Sequence, residues 1–243
     1  MREPRLYLAG VYATGDSLEL PRDSAHYMTQ VLRLEAGRQL RLFNGLGLEF
    51  VATLQSIDRR QATVRVGASL PTLDESPLSI HLAQCVSKGE RMDLVMQKCV
   101  ELGVNRITPV LSSRSVVRMS DERWQKRWLH WQGIVVAACE QSGRSMLPHL
   151  DSPVSLDAWL AARPSSETAL VLDPAQGLRM RDLPSDIREL QLLVGPEGGL
   201  DELEIQQASQ AGMRALSLGT RILRTETAAI AACAMAQAAW GDL

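Results

Sequence analysis

Lysine is almost missing from this 243-residue chain, which has it only at Lys88, Lys98 and Lys126 and leaves the remaining positive charge to arginine. Guanidinium groups grip phosphate bidentately and stack on bases, although a GC-rich genome produces the same bias. A charge excess of either sign is also missing, since 26 basic and 28 acidic residues leave a net charge of -2. That balance excludes a globally basic nucleic-acid coat and leaves room for a local patch. Cysteine pairs are absent: Cys85, Cys99, Cys139 and Cys233 lie far apart in apolar surroundings with no CxxC spacing, as expected of reduced core residues. The four histidines (His26, His81, His130 and His149) have no metal-ligand spacing, so no metal is expected. No apolar run approaches a membrane-spanning length, and MREPRLYLAG at the start has no apolar signal region. The expectation is a cytoplasmic protein with no membrane partner.

The chain is 45% hydrophobic, enough to fill one large domain or two modest ones. Residues 1–73 alternate short β-type runs (RLYLAG, RQLRLF, LEFVATL, QATVRV) with turns, broken by one helical stretch over about 23–32. Asn44-Gly45 is a hairpin signal, and PTLDESP at 71–77 is a polar linker. After it, apolar strands alternate with amphipathic helices: a strand over 78–86, a helix over 91–102, a strand over 107–111, and helices over about 121–141 and 155–162. Strands follow at TALVL, LQLLV and MRALSL, and an Ala-rich helix closes the chain over 228–240. This order predicts an α/β fold with a mainly parallel sheet in residues 74–243, behind a small β-rich domain in residues 1–73.

Two glycine-bearing loops stand at strand-to-helix corners, where open α/β sheets bind ligands. In LLVGPEGGL, Gly195, Gly198 and Gly199 free the backbone while Pro196 stiffens it, and Asp201 with Glu204 forms a capping box. In LGTRILRTETA, Gly219 opens the turn and Thr225 is the expected N-cap of the helix that follows. Neither loop fits the GxGxxG or GxxxxGK[ST] cradles.

The ordered series KGERMDLVMQKCVELGV from Lys88, SSRSV around Arg114, CEQSGRSMLP from Cys139, GPEGG from Gly195 and LGTRILRTETA from Leu218 resembles the RsmE-type 16S ribosomal RNA uridine N3-methyltransferases of the knotted SPOUT class. PRLYL near Pro4, HYMTQVLRLEAG from His26 and LFNGLG extend the likeness to the N-terminal part. Leu200 and Asp201 depart from the family pattern, which often has an aromatic residue and a serine there. The resemblance implies a trefoil knot, a PUA-like RNA-binding domain, a homodimer, and S-adenosylmethionine as methyl donor without a metal. It places the donor against Leu172, Leu193, Gly195, Pro196, Glu197, Gly198, Gly199, Leu218, Gly219, Ile222 and Leu223. Removing the N3 proton of a neutral uridine needs a base or an oxyanion partner. Arg224, Glu226 and Glu197 are the catalytic candidates, with the choice of base open. Arg5, Arg22, Arg33, Arg114, Arg144 and Arg221 are the expected contacts to small-subunit RNA. Trp124, Trp128 and Trp131, at helical spacing, read as core or interface. Another knotted RNA methyltransferase, for example one acting on ribose 2'-oxygen, or a noncatalytic RNA-binding assembly factor, are the alternative functions.

Overall fold

The computed structural model describes residues 3–58, 61–115, 120–164, 168–174 and 177–243; Val116 of the SSRSV segment lies outside them. The chain divides into two compact units, one of Met1–Glu75 with Cys139–Leu147 and one of Ser76–Ala138 with Pro148–Leu243. The short segment at 139–147 therefore groups with the N-terminal residues and not with its neighbours in sequence.

In the first unit, β1 (Arg5–Tyr7) and β2 (Ser17–Leu20) precede α1 (Arg22–His26), and β3 (Gln39–Phe43), β4 (Glu49–Ile57) and β5 (Ala62–Leu70) follow. Their order in the sheet is β1-β3-β4-β5-β2, with β1 parallel to β3 and the other pairs antiparallel. Two register shifts between β4 and β5 curl the sheet around Leu40, Leu42, Leu54 and Val64. The helix expected over 23–32 is α-helical only to His26 and continues as a π turn over Tyr27–Val31. Within it Thr29 Oγ1 donates to the Ala25 carbonyl at 2.9 Å, a side-chain bond that competes with the regular ladder. Asn44-Gly45 begins a longer β3–β4 connection than a two-residue turn, and Asn44 Oδ1 accepts from the Leu46 and Leu48 amides. Gly45 is required there: its φ is +77°, and a Cβ would stand 2.8 Å from Leu147 and 2.9 Å from Tyr7.

The second unit runs β6 (Ser79–Cys85), α2 (Arg91–Glu101), β7 (Arg106–Leu111), α3 (Asp121–Ser142, whose last turn belongs to the first unit), β8 (His149–Leu150), β9 (Val154–Ser155), α4 (Leu156–Ala162), β10 (Thr168–Leu172), β11 (Glu189–Val194), α5 (Glu202–Gln210), β12 (Arg214–Leu216) and α6 (Thr225–Trp240). All seven strands pair in parallel, in the order β12-β10-β11-β6-β7-β8 with β9 also on β7. A sheet covered on both faces needs continuous apolar strands, and β11 is buried from Leu190 to Val194. One face packs Ala83, Val110, Val171 and Leu193 against Trp159 of α4 and Ala208 of α5. All four cysteines are free and buried; burial raises the Cys85 thiol to about 12 and the Cys139 thiol to about 11. Trp131 is fully buried, and Trp128 donates its indole N–H to the Asp151 carbonyl at 3.1 Å.

Candidate active site

The carboxyl ends of β10, β11 and β12 open into one cavity of about 620 Å³. That volume falls within the roughly 300–1,000 Å³ of small-molecule sites. Leu172 closes one wall; Gly195, Pro196, Glu197, Gly198 and Gly199 form a second, and Leu218, Gly219, Arg221, Ile222, Leu223 and Arg224 a third. Ten of the eleven expected donor-site residues thus come together. Leu193 is the exception. It lies one residue inside β11 and is fully buried in the core, while its neighbour Val194 lines the cavity, as strand alternation requires.

The GPEGG wall is closely fitted. A Cβ on Gly195 would stand 3.0 Å from the Leu200 amide nitrogen and 3.3 Å from the Gly199 carbonyl carbon, backbone atoms that cannot swing aside. Gly199 has φ +69°, a left-handed conformation suited to glycine. Thr225 Oγ1 donates to the Gly195 carbonyl at 2.6 Å and accepts from Gln84 Nε2 at 3.0 Å, tying the start of α6 to this loop and to β6. Arg224 is the N-cap of α6, so Thr225 stands one position inside the helix and its hydroxyl serves the loop, contrary to the sequence expectation. On the far side the expected capping box is formed: Asp201 Oδ1 accepts from the Glu204 amide and Glu204 Oε2 from the Asp201 amide, each at 2.9 Å. Bonds from Glu204 and Ser113 hold the Asp201 carboxyl below the usual carboxylate range. The segment after β7 latches on here: the Ser113 amide donates to Glu204 Oε1 at 2.6 Å, Ser113 Oγ to Asp201 Oδ2 at 2.8 Å, and Arg114 Nη1 to the Gly198 carbonyl at 2.6 Å.

Charge collects at one rim. Glu197 accepts from the Lys88 amide at 2.9 Å and from Arg91 Nη1 at 2.6 Å. Burial alone would raise its carboxyl, but these bonds, its own amide and the Arg91 charge leave it lowered. Arg91 Nε also stands 3.7 Å from Glu226 Oε2. Glu226, in the first turn of α6, does not line the cavity; it faces an adjoining groove of about 730 Å³ shared with Lys88, Arg91 and Arg224. Arg91 was not legible as a site residue in the sequence, where it reads as one more charge on an amphipathic helix. The available signal was its place just past the carboxyl end of β6.

The arginines expected to meet RNA divide. Arg22, Arg33, Arg114 and Arg221 are exposed, and Arg33 holds φ +51°. Arg5 and Arg144 are instead enclosed in the first unit. Arg5 binds Glu49 through Nε at 3.1 Å and Nη2 at 2.8 Å and donates to the Cys139 carbonyl, and Arg144 pairs with Glu75 at 2.5 Å. Burial would raise the Glu49 carboxyl, but the bonds from Arg5 and Ser145 and the charges of Arg5 and Arg41 bring it below its usual range. Both guanidiniums are engaged in ion pairs within this unit, Arg5 with the buried Glu49 and Arg144 with the partly buried Glu75. Glu140 accepts from the Tyr7 amide at 3.0 Å in the same unit.

Among the described residues no group of three or more His, Cys, Asp or Glu is placed to hold a metal, and no helix is long and apolar enough to cross a membrane. Residues 74–237 match the RNA methyltransferase domain family and residues 20–67 the RNA methyltransferase PUA domain family. Ribosomal RNA small subunit methyltransferase E of Buchnera aphidicola subsp. Schizaphis graminum is 36% identical over 100% of this chain and 98% of its own length. A Legionella pneumophila methyltransferase structure with the cofactor SAM bound superposes with a TM-score of 0.96 at 44% identity, covering all of both chains. The Neisseria gonorrhoeae ribosomal RNA small subunit methyltransferase E bound to S-adenosyl methionine gives 0.95 at 40% identity, over 99% of each chain. With both of its parts matched and full-length relatives at this identity, the chain belongs to the ribosomal RNA small subunit methyltransferase E family, RNA methyltransferases of SPOUT fold with a PUA-like N-terminal sheet.

Proposed function

We propose that this protein transfers a methyl group from S-adenosylmethionine to N3 of a uridine in 16S ribosomal RNA. The observation that carries the reading is the glycine-walled cavity at the carboxyl ends of β10, β11 and β12, with Arg221 and Arg224 on its third wall, in a chain so similar to cofactor-bound structures. The residues fit the donor: backbone at Gly195, Gly198 and Gly199 allows close approach to an adenosine, and Leu172, Leu218, Ile222 and Leu223 offer apolar walls. Bound there, S-adenosylmethionine supplies an electrophilic methyl on a positively charged sulfur.

The chain's own work is orientation and one proton. Arg224, exposed at the head of α6, is placed to hold the uracil carbonyls as negative charge gathers on them, and Arg221 to hold an adjacent phosphate. Glu197, on the second wall, and Glu226, in the groove, are the candidate carboxylates, each paired with Arg91. Residues 1–73 act as a PUA-like RNA-binding domain through Arg22 and Arg33, and residues 74–243 as the methyltransferase domain, with Arg114 near its donor loop. The knot of the SPOUT class, a homodimer and a cytoplasmic location, where ribosomes assemble, belong to the same reading.

Two measurements test it. Calorimetric titration with S-adenosylmethionine should give saturable binding, and no binding would sink the methyltransferase reading for this protein. Nucleoside mapping of small-subunit RNA from cells with and without the protein should show 3-methyluridine lost with it. An unchanged signal would refute the substrate assignment.

A further inference from the structure

The donor cavity and the neighbouring groove share Arg91 and Arg224, whereas Glu226 lines the groove and not the cavity. Glu226 is 9% exposed, and its Oε2 is buried with no hydrogen-bond partner, its closest recorded charge being Arg91 Nε at 3.7 Å. A buried carboxylate oxygen left without a donor is costly, and its retention calls for a reason. Glu197 differs in kind, because the Lys88 amide and Arg91 both hold it.

We propose that Arg91 is a positioning residue of methyl transfer: it ties Glu197 on the donor wall to Glu226 on the groove by holding the buried Oε2, so that the Glu226 carboxylate is set to take the N3 proton of a uracil ring docked in the groove. This rests on the proposed function. In the step, the N3–H bond breaks and its proton passes to the Glu226 carboxylate. The freed nitrogen pair forms the N–CH3 bond as the methyl–sulfur bond breaks and leaves its pair on sulfur. The proton then returns to solvent. Arg91 touches neither methyl nor base; it acts through the two carboxylates, holding one by a hydrogen bond and the other by charge.

The test is a double-mutant cycle on the full chain, with radiolabelled S-adenosylmethionine and small subunits lacking the modification. Arg91→Ala should lower kcat about 30-fold with KM for subunits and Kd for the donor changed less than about threefold. Glu226→Gln should lower kcat about 100-fold or more. The double variant should be no slower than Glu226→Gln alone, because in the proton transfer that limits kcat the arginine works through that carboxylate. Arg91→Lys, which keeps the charge, should recover part of the loss, and it repeats the cycle if Arg91→Ala does not fold. Additive losses, a wild-type kcat in the Arg91 variants, or a loss confined to donor affinity would overturn the proposal. A wild-type protein that leaves uridine N3 unmethylated would instead sink the function on which it rests.

Discussion

At the scale of single residues, the GPEGG wall distinguishes two glycines that a motif treats alike. Gly195 is crowded by backbone, whereas Gly199 has open space around a notional Cβ and is constrained only by its φ of +69°. Gly195→Ala must therefore push the wall itself, and should weaken S-adenosylmethionine binding tenfold or more, about 1.4 kcal/mol. Gly199→Ala should cost about 1 kcal/mol of stability through its backbone with a smaller change in affinity. Calorimetric titration of the two variants reads the difference, and equal affinities would show that the wall yields. The sequence carried the loop and its capping box because both are local patterns. It could not carry Arg5 or Arg144, whose partners Glu49 and Glu75 stand 44 and 69 residues away, so that a buried guanidinium looks the same in sequence as an RNA-facing one. Arg91 was missed for the same reason, since Glu197 arrives 106 residues later in the GPEGG loop and Glu226 later still, in the first turn of α6.

At the scale of elements, apolar periodicity gave β6, β7, β10, β11 and β12 and the helices between them, and passed over β8 and β9, which have two residues each. It failed also at β2, a four-residue strand in which only Leu20 is buried, and at the π turn, where a threonine hydroxyl reshapes the helix. The opposite end of the large sheet holds a polar joint between β6, β7 and β8. His81 Nε2 meets Thr108 Oγ1 at 2.7 Å, Thr108 donates on to Asp151, and Arg106 and His149 flank that carboxylate at 2.8 and 3.0 Å. Burial first, then the Arg106 charge, lowers the His81 pKa from 6.5 to about 4. Between those two values the unfolded chain binds the proton and the folded one does not. Stability from this group is thus complete above pH 6.5 and is lost as pH falls toward 4, on the order of 3 kcal/mol in all. Asp151, whose carboxyl is lowered by Arg106 and Thr108 against its burial, responds only at lower pH. Urea unfolding from pH 7 to 4 should show His81→Gln with a pH slope shallower by nearly one proton; parallel slopes would remove the histidine from the account.

For the whole molecule, a ligand that binds only the folded chain raises its stability by mass action. S-adenosylmethionine at a hundred times its Kd should add about 2.7 kcal/mol, which for a protein of 150–250 residues moves Tm upward by about 5–10 °C. Thermal melts with and without the donor test this, and S-adenosylhomocysteine should act in the same direction. The three-way latch of Ser113 and Arg114 on Asp201, Glu204 and Gly198 bears on how that binding comes about. With Thr225 fastening Gly195 at the other end, the loop is held from outside itself at both ends before any ligand arrives. The entropy of ordering the proposed donor wall is incurred once, when the chain folds, and each later binding event meets a receptor already in shape.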